Sequence, residues 1–362
     1  MAKGKDKKKK GTWKKVLLIV FLSIVLLIML AIAGFCAYSN YLLNQITPYD
    51  PSNDVTVSQE EAEEIILDDP GLVPIDPEVD EDIPNMEDLI IPEENEAPTQ
   101  PEEQPVSMDH IINIMLIGQD RRPGQGRQRS DSMILVTVNK SKGTITLTSF
   151  MRDQYVRIPG YKNNKMNAAY AFGGMKLLNA TVEENFGVKI DGDIEVDFNN
   201  FSKLIDMLGG VDINLTSKEA KYLSSGGDWN LSSGMQRLNG AQALAYSRIR
   251  KIDSDYNRAN RQRNVISSLI TRYKSLSVTE MLFMLDDILP LVTTNMTKNE
   301  IIDVITSVAP MLAGAQINSE RIPVDGTFRQ GNVKVRAGLA AWFQYDIDFA
   351  ANRKVLMDIM AE

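Results

Sequence analysis

The chain has 362 residues, 43% of them hydrophobic, which is room for one large domain or two average ones around a sizeable core. One cysteine, Cys36, and one histidine, His110, exclude a disulfide framework and Cys/His zinc sites, and leave a Ser-His-Asp triad only His110 to work with. The net charge of −9 hides an asymmetry: residues 1–15 carry eight Lys and one acid, residues 45–109 carry 21 acids and no Lys or Arg, and residues 110–362 carry 31 basic against 26 acidic side chains.

Residues Val16 to Tyr38 run for 23 positions without a charge, with Ser23 as the polar interruption. As a helix this stretch reaches ~35 Å, enough for a bilayer core of ~30 Å. A cleaved signal peptide is the alternative, with Ala31-Ile32-Ala33 as its cleavage site, but the run exceeds the ~7–15 residues of a signal-peptide core. Bulky Phe35 argues against a lipoprotein cysteine at Cys36. The Lys cluster precedes the span and no Lys or Arg follows it until Arg121. The positive-inside rule then puts the N-terminus in the cytoplasm and the remainder outside, a single-pass type II arrangement in the cell membrane. Residues 39–109 are acidic and Pro-rich, a composition that does not offset its ordering entropy, and read as a disordered linker or stalk. Within it Ser58-x-x-Glu61 has the form of a capping box for a short helix to Leu67.

From residue 110 the pattern is globular and runs to 362. Strands are expected at 111–118, 133–138 and 144–150, from short apolar, β-branched runs. Helices follow at 165–172 and 174–186, separated by Gly173-Gly174. A strand is expected at 194–197, a helix at 199–208 stopped by Gly209-Gly210, and a strand at 211–215. Helices come at 241–247 and 257–273, then an apolar helical region over 278–314 broken at Pro290. Strands at 318–323 and 333–336 and a helix at 348–360 complete the list. Strands mixed with helices predict a layered α/β domain.

Four polar groupings stand out. Asp120 lies just past one predicted strand and Asp131 just before the next, so the two carboxylates can hold one hard cation, with Arg129 beside them and a Gly124/Gly126 loop able to approach an anion. A polar loop with surface salt bridges is the competing reading. Arg152-Asp153 follows a third strand. Lys165 opens the Asn167/Ala171/Gly174 stripe, which reads as helix packing, and can reach an anion. Arg248 and Arg250 share a side if extended, and Asp255, Arg258 and Gln262 occupy one helix face, with Arg261 beside it. Guanidinium groups in this density suit a diphosphate, since they grip phosphate bidentately. Nucleic acid is disfavoured, because no aromatics interleave with the arginines. The apolar excess over 264–314 is ordinary core, or the wall of a groove for a lipid tail.

In order, Gly118-Gln119-Asp120, Arg129-Ser130-Asp131-Ser132, Met151-Arg152-Asp153, Lys165-Met166-Asn167-Ala168-Ala169-Tyr170, Gly209-Gly210-Val211, Leu238-Asn239-Gly240, Arg248-Ile249-Arg250 and Asp255…Arg258…Gln262 resemble the LytR-CpsA-Psr family of cell-wall glycopolymer ligases. The resemblance covers roughly residues 110–265. It implies a mixed central β-sheet flanked by helices and a transferase that moves a glycopolymer phosphate (teichoic acid, capsular or other wall polysaccharide) from a polyprenyl-pyrophosphate carrier to a peptidoglycan hydroxyl with Mg²⁺. It implies Asp120 and Asp131 as metal ligands and Arg129, Arg152, Arg248, Arg250, Arg258 and Gln262 as pyrophosphate contacts. Lys165 and Asp255 hold further polar positions, and Arg129, Asp131, Arg152, Arg250 and Asp255 are expected to be catalytic. The family often has Ile-Pro where this chain has Phe150-Met151. A hydrolase of the same substrates and a non-catalytic membrane-tethered regulator are the alternative functions.

Overall fold

The computed structural model describes residues 37–38, 40–41, 43–50, 52, 56–67, 71–76, 82–91, 108–119 and 129–361, less 228, 277–279, 281–283 and 285–286. Two compact units result, Met1–Ile46 and Thr47–Glu362. In the first, the described residues are helical up to Leu43, and the Asn44 N–H donates to the Asn40 carbonyl. The expected membrane span lies outside the described residues except for Ala37 and Tyr38, and no described helix is long and apolar enough to cross a membrane.

The second unit is built on a seven-stranded mixed sheet. Its strands are β1 (Thr47–Pro48), β3 (Ile111–Gln119), β4 (Ser130–Asn139), β5 (Thr144–Phe150), β8 (Gly192–Asp197), β11 (Thr293–Thr294) and β12 (Gln316–Ile322), in the order β1-β11-β8-β3-β4-β5-β12. β3 runs parallel to β8 and β5 parallel to β12, while β4 is antiparallel to both β3 and β5. Alternation along β3 decides which face each residue takes. Ile111, Met115 and Ile117 join Met133 and Leu135 in one core, against α2 (Met166–Phe186) and α8 (Phe349–Ala361). Ile112 and Ile114 join Ile134, Val138, Ile145 and Leu147 in the other, against Ile266 and Ile270 of α6 (Asp255–Lys274) and Val304 and Val308 of α7 (Lys298–Leu312). The result is a helix–sheet–helix sandwich, the layered α/β architecture with helices on both faces of the sheet.

α2 is continuous in chain but kinked at the expected place. Gly173 and Gly174 leave helical geometry, Gly174 at φ 66°, a conformation a side chain resists. A third core lies beside the sheet. It packs α3 (Phe198–Met207), β9 (Val211–Leu215), α4 (Ser217–Gly226), β10 (Gly234–Leu238) and α5 (Gly240–Ser247) against Val265 of α6. Gly240 sits so close to α3 that an added Cβ would lie 2.1 Å from the Ser202 carbonyl oxygen, and its N–H donates to Asp206 Oδ1 at 2.7 Å. The Leu238-Asn239-Gly240 block is thus the contact that docks α5.

Three expectations need correction. The acidic stretch before residue 110 is not a free stalk where it is described. α1 (Gln59–Leu67) carries the expected Ser58–Glu61 box, buries Ala62 in the α2 core, and is tied by the Val57 N–H to the Phe172 carbonyl and by the Tyr161 hydroxyl to the Val57 carbonyl. β2 (Val73–Pro74) pairs with β14 (Leu339–Tyr345), and Met86 accepts from the Tyr155 hydroxyl. Apolar residues placed at intervals in an acidic segment were enough to dock it, which average composition conceals. The helical region over 278–314 is interrupted by more than Pro290: Thr293–Thr294 leaves the helix to pair with β8, and α7 starts afresh behind a Thr297–Glu300 capping box. Finally, the strand expected at 333–336 is the end of β13 (Arg329–Arg336), which forms a hairpin with β14, and neither β14 nor α4 was expected.

Candidate functional site

The register brings the informative residues to one end of the sheet. Gln119 pairs with both Ser130 and Asp197, and Phe150 pairs with Ile322, so β3, β8, β5 and β12 all finish where β4 begins. In open α/β sheets the ends of parallel strands are where ligands collect.

Arg152 leaves β5 at this end. Its Nε lies 3.3 Å from Asp153 Oδ2 and 3.2 Å from Asp255 Oδ2, and its Nη2 is also 3.2 Å from Asp255 Oδ2. The same Asp255 oxygen accepts from Arg258 Nη2 at 3.2 Å. Asp153 Oδ1 lies 3.3 Å from Lys165 Nζ, and that ammonium sits 5.0 Å from the centre of the Phe343 ring. Three cations and two carboxylates thus form one chain, Lys165–Asp153–Arg152–Asp255–Arg258. Lys165 and Arg258 are buried, whereas Arg152 and Asp255 keep part of their surface open. Each carboxylate is occupied by two cations, so both serve first to fix guanidinium and ammonium groups in place.

Arg248 and Arg250 are exposed and flank buried Ile249, but not on an extended segment: Arg248 caps the end of α5 at φ −102°, ψ 1°, and the Arg248 and Ile249 N–H groups donate to the Ala245 and Tyr246 carbonyls. Arg248 stacks 4.5 Å over the Phe198 ring, directly after β8. The segment is held from beneath by buried Arg261. Its Nη1 donates to the Ile249 carbonyl at 3.2 Å and to Asp253 Oδ1 at 3.0 Å, its Nη2 to Asp253 Oδ2, and its Nε to Glu219 Oε1 at 2.6 Å. Burial works against its charge, but the bonds to Asp253 and Glu219 outweigh that and hold its pKa above the ordinary value. Arg261 is therefore a support for Arg248 and Arg250. Arg263 differs: its acceptors are Ser319 Oγ at 2.6 Å, Ser149 Oγ at 2.7 Å and Asn260 Oδ1 at 2.8 Å, all neutral. Burial, with Arg321 nearby, pushes its pKa down to about 10, still charged at neutral pH. Its positive charge lies under the exit of β5.

The sequence-predicted residues therefore separate into groups. The structure joins Arg152, Asp153, Lys165, Asp255 and Arg258, sets Arg248 and Arg250 on a pinned segment, and leaves Gln262 half-buried one turn beyond Arg258 on the same helix face. Arg129 is elsewhere engaged: its Nη2 donates to the Ile65 carbonyl at 2.8 Å. Asp120 and the Asp131 side chain lie outside the described residues. Gly118 pairs with Ser132 and Gln119 with Ser130, so Asp131 is the extra residue of a bulge and Asp120 follows the residue paired beside it. Two carboxylates at such a junction are the oxygen donors Mg²⁺ prefers. Among the described residues no group of three or more His, Cys, Asp or Glu side chains is arranged to hold a metal ion.

Glu219, Asp253, Tyr256, Phe343 and Gln344 were missed by sequence reasoning. Thr216-x-x-Glu219 does form a capping box, with Glu219 Oε2 capping α4 while Oε1 holds Arg261, so the signal was present. β14 buries its residues in pairs, Ala340-Ala341 and Phe343-Gln344 on either side of exposed Trp342, so it lacks the period-2 signal by which a strand is read from sequence.

Comparison with known proteins decides the family. The LytR_cpsA_psr family profile matches residues 86–343. The chain belongs to this family. It is 34% identical over 249 residues to the polyisoprenyl-teichoic acid–peptidoglycan teichoic acid transferase TagU of Bacillus mycoides, covering 68% of this chain and 77% of that protein. It is 36% identical over 224 residues to the TagU of Oceanobacillus iheyensis, covering 59% and 67%. Among family structures, TagT bound to LIIa-WTA superposes with a TM-score of 0.58 at 28% identity, covering 75% of this chain and all of that one. The family protein YwtF (TagT) with bound octaprenyl pyrophosphate lipid gives 0.53 at 25% identity, covering 75% of this chain and all of that one. The mixed sheet with flanking helices is the fold these structures share with this chain.

Proposed function

We propose that this protein is a phosphotransferase that moves a glycopolymer phosphate from a polyprenyl-pyrophosphate carrier to a peptidoglycan hydroxyl, with teichoic acid as the glycopolymer its relatives' names favour. The observation that carries the reading is the Lys165–Asp153–Arg152–Asp255–Arg258 chain at the strand ends, with the segment of Arg248 and Arg250 tied to the same helix α6 through Arg261. In the reaction the acceptor hydroxyl oxygen attacks the phosphorus bearing the glycan. The bond from that phosphorus to the bridging oxygen breaks, the hydroxyl proton passes to water, and polyprenyl monophosphate leaves. Negative charge shifts onto the leaving phosphate, and preorganised guanidinium groups stabilise it. Arg152, Arg248 and Arg250 present the accessible forks, while Lys165 and Arg258 support them from within. Asp153 and Asp255 each hold two cations, which favours a positioning role over that of a poised base, and a loose transition state needs little base help.

Mg²⁺ held by Asp120 and Asp131 would neutralise pyrophosphate oxygens. Arg129 belongs to the same junction by chain position, and Gln262 extends the α6 face toward the substrate. The half-buried row of Ile266, Ile270, Val304, Val308 and Met311 supports a site for the polyprenyl chain on the far side of the sheet from α2. The reading also places 16–38 in the cell membrane with 1–15 in the cytoplasm and the folded domain outside, supported by the Lys asymmetry. Synthetic polyprenyl-pyrophosphate glycan and a peptidoglycan oligomer test the activity. Wild type is expected to yield glycan-bearing oligomer and polyprenyl monophosphate, and Arg152→Ala neither. Release of glycan phosphate with no acceptor adduct would turn the assignment to a hydrolase.

A further inference from the structure

We infer that Tyr256, gripped by the cross-strand pair Gln330 and Gln344, is a positioning residue that fixes Asp255 against Arg152. This rests on the phosphotransferase reading and deepens it. Gln330 and Gln344 are direct partners in the β13–β14 hairpin. Gln344 Nε2 donates to the Tyr256 hydroxyl at 3.0 Å, and that hydroxyl donates to Gln330 Oε1. One oxygen thus uses its donor and an acceptor site on two carboxamides held in register by a strand pair.

The grip sits between the two halves of the ionic chain. Tyr256 directly follows Asp255 at the start of α6, where Asp255 bridges Arg152 and Arg258. The backbone N–H of Gln344 donates to the Asp153 carbonyl at 2.8 Å, and Gln344 forms a parallel bridge with Gln154. A single buried residue is therefore tied to both residues whose carboxylates flank Arg152, to Asp153 at its main-chain carbonyl and to Asp255 through the tyrosine that follows it in the chain. The tyrosine ring is itself fixed, with the Arg321 guanidinium 4.2 Å from its centre and Phe328 edge-on at 6.2 Å. Burial raises the Tyr256 pKa, so the hydroxyl keeps the proton it donates to Gln330.

The bonds that hold Tyr256 run to two neutral carboxamides, so their removal should alter geometry and leave the charges of the site in place. A misplacement of about 1 Å in a preorganised site can cost ~10²-fold in rate. Tyr256→Phe removes one oxygen and keeps the ring contacts. Gln344→Met keeps side-chain volume and the Asp153 main-chain bond. Each is expected to lower kcat roughly tenfold or more with KM for the carrier nearly unchanged, and the double variant to fall no lower than the worse single.

The experiment measures kcat and KM for wild type, Arg152→Ala, Tyr256→Phe, Gln344→Met and the double variant, each first checked for a cooperative melt. Full kcat in folded Tyr256→Phe overturns the proposal. So does multiplication of the two single losses in the double variant, which means the residues act independently. If Gln344→Met fails to fold, Gln330→Met takes its place in the cycle with the same expectation. Transfer absent in wild type, or undiminished in Arg152→Ala, sinks the phosphotransferase reading instead, so the two failures are distinct.

Discussion

The guanidinium of Arg129 donates from Nη2 to the main-chain carbonyl of Ile65, 64 residues earlier and in the last turn of α1. Carbonyls in a last helical turn lack intrahelical partners and carry the negative end of the helix dipole, so Arg129 completes α1 as a cap. The acidic segment before the domain and Arg129, the first arginine expected in the site, are thereby one structural unit.

Ala62→Glu should release that unit. Ala62 is buried against the α2 core, and a carboxylate there has no partner. A cost of ~2 kcal/mol or more is expected, read as a lower melting midpoint and faster proteolysis after residue 67. Because Arg129 loses its acceptor, transfer should fall as well. An unchanged midpoint would mean that α1 contributes no stability. Glu61 adds a pH dependence. The Ser58 N–H, then its hydroxyl, hold the Glu61 carboxyl below its ordinary value. That stabilisation is present above the usual Glu pKa of about 4.3 and is lost as pH falls through the folded value, so protease sensitivity at α1 should rise only in acid.

Arg261→Met and Arg250→Ala should separate support from contact. Arg261 is buried between Glu219 and Asp253, and removing it leaves Glu219 without its ion partner, at a cost of ~3–5 kcal/mol. It also frees the Ile249 carbonyl, so stability and transfer should drop together. Arg250 is exposed, and its truncation should leave the melt within error while slowing transfer on the order of 10²-fold. Arg250→Lys should not restore the rate, since an ammonium lacks the fork. Equal melting losses in both variants would overturn the distinction.

What the sequence made legible follows local physics. The β3, β4 and β5 runs, the Gly173-Gly174 kink and the Asp255/Arg258 face were readable because period, glycine and helical spacing act over a few residues. The Arg152–Asp255 pair joins residues 103 apart and depends on β5 ending where α6 begins. Arg261 illustrates the limit: its spacing put it beside the α6 site face, yet its role was set by Glu219 on an element not foreseen. The docking of α1 was hidden for a related reason, since two or three apolar contacts outweigh a charge-rich average when the partner surface already exists.

His110→Ala should leave transfer unchanged. His110 precedes the first residue of β3, and the site lies past Gln119 at the other end. Nine residues of strand separate them by ~30 Å, beyond any proton transfer. Assay of this variant at several pH values is the check, and a lost or shifted profile would show that the lone histidine acts in the chemistry.

Metal removal is the remaining prediction. The bulge sets Asp131 apart from the Gly118–Ser132 and Gln119–Ser130 pairs, and Asp120 is the residue that follows Gln119 in the chain. In the proposed function the two carboxylates share one Mg²⁺, an ion that takes one or two carboxylates while leaving its other positions for water and phosphate oxygens. Chelation is therefore expected to stop transfer, and excess Mg²⁺ to restore it. Asp120→Ala and Asp131→Ala should each abolish the Mg²⁺-dependent rate while keeping a wild-type melt. Binding of Mn²⁺, followed by its paramagnetic resonance in the presence of a pyrophosphate, should give one site in wild type and none in either variant. One retained site in both variants would move the metal away from this junction, and full transfer after chelation would leave the arginine chain as the only charge stabiliser.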